Sequence, residues 1–465
     1  MRFIYRFVSR KQFLNLNQTL SCSIMKKRES SFKKLLKESF LATVLVFISV
    51  WLLFLVINIS FKPFNFVAKA IKEVNLSDFY FSGLQSPVVD TNIVLVNIED
   101  LGRKDIAALI DKIYKANPAV IGLDVFFSDN KDSIGDPLLN ESVRKAADKL
   151  VMAGFYDEEE KAFNSDYKTF PGSLYGHANI LTNDDRTAVV RKFQPAYKVA
   201  DTMVYSFAAA VAKKYSQPAF DKLISHKNKL EYINYKGNKN TYLLLNHRQV
   251  INDSSADIAF LQNKIVLVGF LGGKTKSTED FNDIFYTPVN THYYGRALPD
   301  MYGLVIHANI VSMIIEKNYI WYPANWLVFI ISFIITFLHI VPFIYFYVKR
   351  HLWYHVFVKI GQLVSFSAIL LIVFLIFKNT GVLITTKYIL LPVILSAEIL
   401  YLYESLAVLV YKKTGRKSIF VHDHPKEEKE TAEPIAAMPD ITAGPVIEQI
   451  VVAPVLKPGN ENEKI

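Results

Sequence analysis

The sequence predicts a mixed α/β (α+β) domain on a mostly parallel sheet, carried by four transmembrane α-helices, one before it and three after it. Three observations predict this. The 465-residue chain is 51% hydrophobic with a mean hydropathy of +0.20, high for a soluble enzyme. Its long apolar runs gather near the two ends. Between them, short apolar runs bounded by turn residues alternate with segments of 3.6-residue period, the pattern of strands alternating with helices.

The first apolar run, Leu41 to Ile59, is nineteen residues without a charge. At about 1.5 Å per residue it crosses roughly 30 Å of hydrocarbon, which sets a first transmembrane helix at 40–60. Lys26, Lys27, Arg28, Lys33, Lys34 and Lys37 crowd its N-terminal flank, so residues 1–39 are expected in the cytoplasm and residues 61–322 outside it. A cleaved signal peptide is the rival reading, with Ala68-Lys69-Ala70 as cleavage site, but the run is too long and the site too far beyond it. Translation from Met1 or from Met25 leaves this anchor intact.

Further spans are expected at 326–348, 357–377 and 382–410, returning the segment 411–465 to the cytoplasm. The basic residues agree: Lys349, Arg350 and Lys359 fall inside, and Lys412, Lys413, Arg416 and Lys417 follow the last span. This describes a multi-pass protein of the inner (plasma) membrane with both termini cytoplasmic. The last span contains Lys387, Glu398 and Glu404. A start near Tyr388 centres Glu398 in the bilayer, where a charge costs about 2.5–3.5 kcal/mol unless it faces another helix or a polar cavity. A start near Thr380 moves it to the inner interface. Glu398 is the candidate for relaying a signal through the bundle.

The net charge of +10 does not point to nucleic acid. Residues 1–60 carry ten basic and two acidic side chains, whereas 61–325 carry thirty of each. The excess lies beside the first span, where its partner is the anionic surface of the lipid bilayer. The single cysteine, Cys22, precedes that span, so the exported domain is expected to hold together without disulfides.

Within 61–322, Asn92 to Ile98 reads as a strand. Gly102 to Ala116 reads as a helix with Ile106, Leu109, Ile110 and Ile113 on one face, and Pro118 closes it. Val120 to Phe127 is a second, buried strand. The βαβ spacing predicts that the two strands pair in parallel through a right-handed crossover. A helix carrying Leu138, Val143 and Ala147 and a strand at Leu150 to Tyr156 repeat the unit. Glu158 to Lys198, rich in charge and turn formers, is expected as a surface excursion. Asp201 to Lys214 is expected as a helix burying Val204, Phe207, Ala208 and Val211. Lys264 to Gly269 is the clearest late strand, and Leu304 to Ile315 the last helix before the membrane.

No motif forces a catalytic assignment. VGFLGGKT imitates a phosphate-binding loop, but only three residues separate Gly269 from the Gly273-Lys274 pair where four are needed. Glu99, Asp100 and Asp124 stand at or near strand ends, where carboxylates often line a crevice, and equally often cap turns. His307 and Asn309 begin a predicted helix, where either bonds free backbone donors or faces a ligand. His422 and His424 make at most a weak chelate. No cofactor, metal or catalytic residue is expected, and the chain is not expected to be an enzyme.

The series NIVLVNIED, PAVIGLDVFF followed by Asp136-x-Leu138, NKIVLVG with Asp283-x-Phe285-x-Thr287-Pro288, and YGxxIHAN ending at Asn309 resembles the CHASE type 2 extracellular sensor domain. The resemblance covers about 62–320 and extends to the layout of one helix before and three after. It implies a bacterial extracytoplasmic, periplasmic sensory module, commonly coupled in its family to kinases or nucleotide cyclases, and assigns no binding residue. Some fifty residues follow Tyr411, fewer than such outputs need, and from Ser418 nine acidic and four basic residues among Pro and Ala suggest a disordered segment.

The expected function is therefore sensing of environmental or envelope signals by the exported domain. An unidentified ligand would be held by candidates among Asp124, Asp283, His307 and Asn309, and the signal relayed to a separate cytoplasmic or membrane partner; a homodimer is an assembly this reading allows. The alternative is a structural or docking protein of the envelope that senses nothing. A hydrolase using Asp124 or Asp283 is the weakest of the three.

Overall fold

The computed structural model describes residues 10–58, 76–83, 88–127, 132–164, 174–182, 188–252, 258–273, 283–291, 298–349 and 351–420. Its principal sheet contains β1 (Asp90–Asn97), β2 (Val120–Asp124), β3 (Leu150–Asp157), β4 (Ala162–Asn164), β5 (Leu174–His177), β6 (Tyr242–Asn246) and β7 (Ile265–Gly269). The order β6-β1-β7-β2-β3 is parallel throughout; β5 continues it in parallel along the first part of β3, and β4 runs antiparallel along its end. The helices are α1 (Arg10–Asn58), α2 (Leu76–Ser82), α3 (Arg103–Lys115), α4 (Gly135–Lys145), α5 (Phe207–Tyr215), α6 (Gln217–Ser225), α7 (His247–Asn252), α8 (Gly303–Glu316), α9 (Asn325–Lys349), α10 (His351–Thr380) and α11 (Lys387–Thr414).

The strands are apolar on both faces because both faces are covered. On β1 and β7, Ile93, Leu95, Ile265 and Leu267 pack with α5 and α8. The alternate residues Val94, Val96, Val266 and Val268 pack with α3 and α4. The result is a three-layer α/β/α sandwich. Helix α8 is buried along nearly its whole length, which explains why apolar residues surround it. Gly122 lets α5 lie this close to β2: a Cβ there would stand 2.7 Å from Leu267 Cδ2 and 2.9 Å from the Phe207 ring.

Four expectations need correction. Strands β1 and β2 are parallel but not neighbours, since β7 lies between them with Leu95 opposite Leu267 and Leu267 opposite Gly122. The buried face of α4 is Leu139, Ser142 and Val143; Leu138 is exposed, and Ala146 rather than Ala147 is buried beyond the helix end. That stripe, packed on α3, follows the i, i+3, i+4, i+7 spacing of one helical face, which keeps Val143 and excludes Leu138 and Ala147.

Residues 202–205 form a hairpin with 196–199 instead of a first helical turn, which leaves Val204 half-buried on a strand. Helix α5 begins only after Ser206, whose Oγ accepts from Ala209 N at 3.2 Å. Finally, 158–198 is no mere surface excursion: it supplies β4 and β5 and buries His177.

Four helices are long and apolar enough to cross a membrane: Ser31–Leu55 within α1, α9, Trp353–Thr380 within α10, and α11. They share a core that includes Val46, Ile344, Tyr354 and Leu400. Helix α11 begins at Lys387, so Glu398 lies near its middle. The C-terminal end of α10 is built into the sandwich. Phe377 packs edge-on against Tyr80 and Phe81 of α2, at 5.2 and 5.9 Å between ring centroids, and joins the domain core together with Leu383. Backbone bonds from Trp321 N to Gly381 O (3.1 Å) and from Leu383 N to Trp321 O (2.8 Å) fasten the α10–α11 connection to the chain leaving α8. Residues 421–465, with His422 and His424, lie outside the described residues.

Candidate ligand cleft

Parallel α/β sheets leave a crevice beyond the carboxyl ends of their strands. Here the ends of β1, β2, β3, β5 and β7 surround a cleft of about 480 Å³. Asp124, the last residue of β2, forms part of its floor.

Asp283 reaches the same cleft from far along the sequence. The strand pair of 284–285 with 301–302 brings it beside the start of α8. That pair is braced by Asp300, whose carboxylate accepts from Thr287 N (2.8 Å) and Thr287 Oγ1 (2.7 Å). Gly303, the first residue of α8, leaves room for the carboxylate; a Cβ there would stand 2.9 Å from Asp283 Oδ1. One turn further along α8, His307 completes the group.

Burial sets the protonation of all three. It raises Asp283 to about 7, with the neighbouring Asp124 charge adding to the effect. It also raises Asp124, against the opposing influence of His307. Burial lowers His307, which favours the neutral ring despite Asp124 beside it. His307 is 3% exposed and meets the backbone of Ala178 on one side, while its Nδ1 has no hydrogen-bond partner. The remaining lining is largely apolar, with Phe270 and Phe285 half-buried and Phe126 and Phe155 at the rim.

The other candidates fall elsewhere. Helix α8 begins at Gly303, so neither His307 nor Asn309 caps it. Asn309 does not line the cleft. Its Oδ1 accepts from Lys236 N (2.8 Å) and Gly237 N (3.4 Å), and its Nδ2 donates to Gly237 O (3.0 Å) and Val305 O (2.9 Å). Glu99 is bonded to Asn246 Nδ2 and lies 3.7 Å from Arg248, and Asp100 is exposed. The two therefore form no site with Asp124.

The loop after β7 is pinned to β1, because Asn97 accepts from Leu271 N and donates to Gly272 O, both at 2.9 Å; Lys274 and Thr275 lie outside the described residues. Glu398 belongs to the bundle, paired with Lys359 Nζ at 2.8 Å.

Sequence reasoning missed the four phenylalanines of the cleft and His177. The latter is buried beneath Tyr197, its ring 4.7 Å away, and lowered to about 3 by burial and then by His307. Nothing local marked it, since burial at β5 depends on pairing with β3. Among the described lining residues there is no Ser, Thr, Cys, Lys or Arg, and among the described residues no three His, Cys, Asp or Glu side chains gather as metal ligands. The polar chemistry of the cleft is that of hydrogen-bond acceptors on an aromatic wall.

Searches of curated proteins and of solved structures return no match to the chain. A family model does match: the CHASE2 domain, over residues 46–341, from within α1 through the sandwich and into α9. The match spans more than half of the sequence and takes in β1, β2, β7, the Asp283 strand pair and α8, so the chain belongs to the CHASE2 domain family.

Proposed function

We propose that the chain is a membrane-anchored sensor whose sandwich lies outside the cytoplasm, binds its signal in the Asp124–Asp283–His307 cleft, and passes the event through the helix bundle to a separate signalling partner. The family is one of sensor domains, and the four apolar helices suit a membrane protein with its large domain between the first and the later spans. The basic flank of α1 supports a cytoplasmic N-terminus.

The observation that carries the reading is the insertion of Phe377 and Leu383 into the core of the sandwich. Helix α8, which holds His307, and the outer end of α10 thus belong to one packed unit. A ligand that binds one arrangement of α8 better than another biases the bundle by that difference in affinity. The chain itself supplies no chemistry in this reading; its partner does.

Crosslinking in intact membranes, with an epitope-tagged full-length chain and mass spectrometry, tests the relay. A reproducible cytoplasmic or membrane signalling protein, lost when Phe377 is replaced by Ala, is the expected result. Recovery of no such partner, or only of envelope structural proteins, overturns it.

A further inference from the structure

We infer that the ligand of the cleft is a small organic cation, a primary ammonium group on an apolar or aromatic body. This deepens the proposed function and rests on it. The first ground is His307. A buried ring nitrogen without a partner forfeits a hydrogen bond; among the described residues His177 and His247 share this state, but His307 is the one that lines the cleft. With its ring bonded to the Ala178 backbone, the unpartnered Nδ1 is the nitrogen without a proton, an acceptor and not a donor.

The second ground is the company it keeps. Asp124 and Asp283 line the same cleft; burial holds their carboxyls toward the protonated form, and a cation placed beside them draws them to carboxylates, which only accept. Asn179 also lines it, but both ends of its amide are taken: Tyr156 N donates to Oδ1 and Nδ2 donates to Tyr156 O, each at 2.8 Å. The described lining therefore offers a cation three side chains that can accept, Asp124, Asp283 and His307, and contains no Lys or Arg. An ammonium group carries three N–H donors and no acceptor, the complement of this set. A carboxylate or phosphate would find no positive charge in the described lining, and a neutral alcohol has one donor to share among three acceptors.

The third ground is the wall. Phe126 and Phe155 stand at the mouth with 51% and 47% of their surface exposed, so both rings are open to a molecule entering the cleft. Phe270 and Phe285 line the interior. Aromatic faces attract cations and bury apolar bodies, and a volume near 480 Å³ admits a small molecule.

The test uses the full-length protein in lipid nanodiscs with three probes of one shape: phenethylamine, 2-phenylethanol and 3-phenylpropionate. Thermal shift and ligand-observed NMR are expected to register phenethylamine at millimolar concentration and neither of the others. Asp283→Asn, nearly isosteric, is expected to weaken the amine about tenfold or more, the scale of one charge-assisted hydrogen bond. Asp124→Asn provides an independent second variant. Binding of the alcohol or the carboxylate as tightly as the amine, equal binding of the amine to wild type and both variants, or no binding by any probe overturns the inference. The sensor reading itself falls only to the crosslinking result, so the two failures are distinguishable.

Discussion

The hydroxyl of Ser332 donates to the carbonyl oxygen of Tyr388 at 2.6 Å, the carbonyl that Pro392 leaves without its helical donor. Proline has no N–H to give to the residue four before it, and in lipid a bare carbonyl is costly. A small hydroxyl on α9 thus repairs a break in α11. Ser332→Ala is expected to destabilise the bundle by about 1–2 kcal/mol. Pro392→Ala should offset much of that loss, so a double-mutant cycle of thermal unfolding in nanodiscs checks the coupling.

Asp283 makes the stability of the sandwich pH-dependent. Its carboxyl ordinarily titrates near 3.8 and is raised to about 7 by burial and by Asp124. Above about pH 4 the unfolded chain releases this proton while the folded chain keeps it, so folding loses stability up to about pH 7 and then levels off. The loss from this group is of the order of 4 kcal/mol. Asp283→Asn should flatten that slope and melt higher than wild type at alkaline pH, read by calorimetry across the range.

Lys359 and Glu398 are expected to tolerate joint removal better than single removal. Each is more than half exposed on the bundle surface, 64% and 58%, and they meet at 2.8 Å. Within hydrocarbon an unpaired charge costs about 2.5–3.5 kcal/mol. Lys359→Ala or Glu398→Ala should lower the folded yield in membranes, and the double replacement should restore much of it.

Asn309 holds the 236–237 loop through both ends of its amide. Asn309→Ala strands the Lys236 N–H and the Gly237 carbonyl in a buried place. A loss of about 2–4 kcal/mol is expected, with amine binding in the cleft unaffected once the protein is folded. Thermal melting and ligand titration on the same sample check both halves.

Phe377→Ala removes the edge contacts that tie α10 to α2. A destabilisation of about 3 kcal/mol is expected, and calorimetry should resolve the single unfolding transition into separate sandwich and bundle steps. Phe377→Leu should fall between the two.

The alternation of strands and helices was legible because it depends on local period: the buried face of α3 is the one its spacing predicts, Ile106, Leu109, Ile110 and Ile113. The place of β7 was not, since nothing near residues 265–269 says which two strands they will separate. The start of α5 turned on the capping hydroxyl of Ser206, a short polar signal inside an otherwise apolar run. In the cleft, the motif residues Asp124, Asp283 and His307 come together through sheet order and one strand pair, neither visible locally. The separate fates of His307 and Asn309 could have been read: two residues along a helix turn a side chain by about 200°, to the opposite face.

The seat of β7 also bears on how the molecule is made. Its flanking strands, β1 and β2, are synthesised early and have a vacancy between them until residues 265–269 arrive. A nascent chain emerging in order cannot zip its central ladder on the way; the last-made quarter of the sandwich closes the first-made half. Such late, distant pairing slows folding. On the proposed topology, a polypeptide that stays unpaired until its far end is made is one that can be carried through a narrow conduit before it sets.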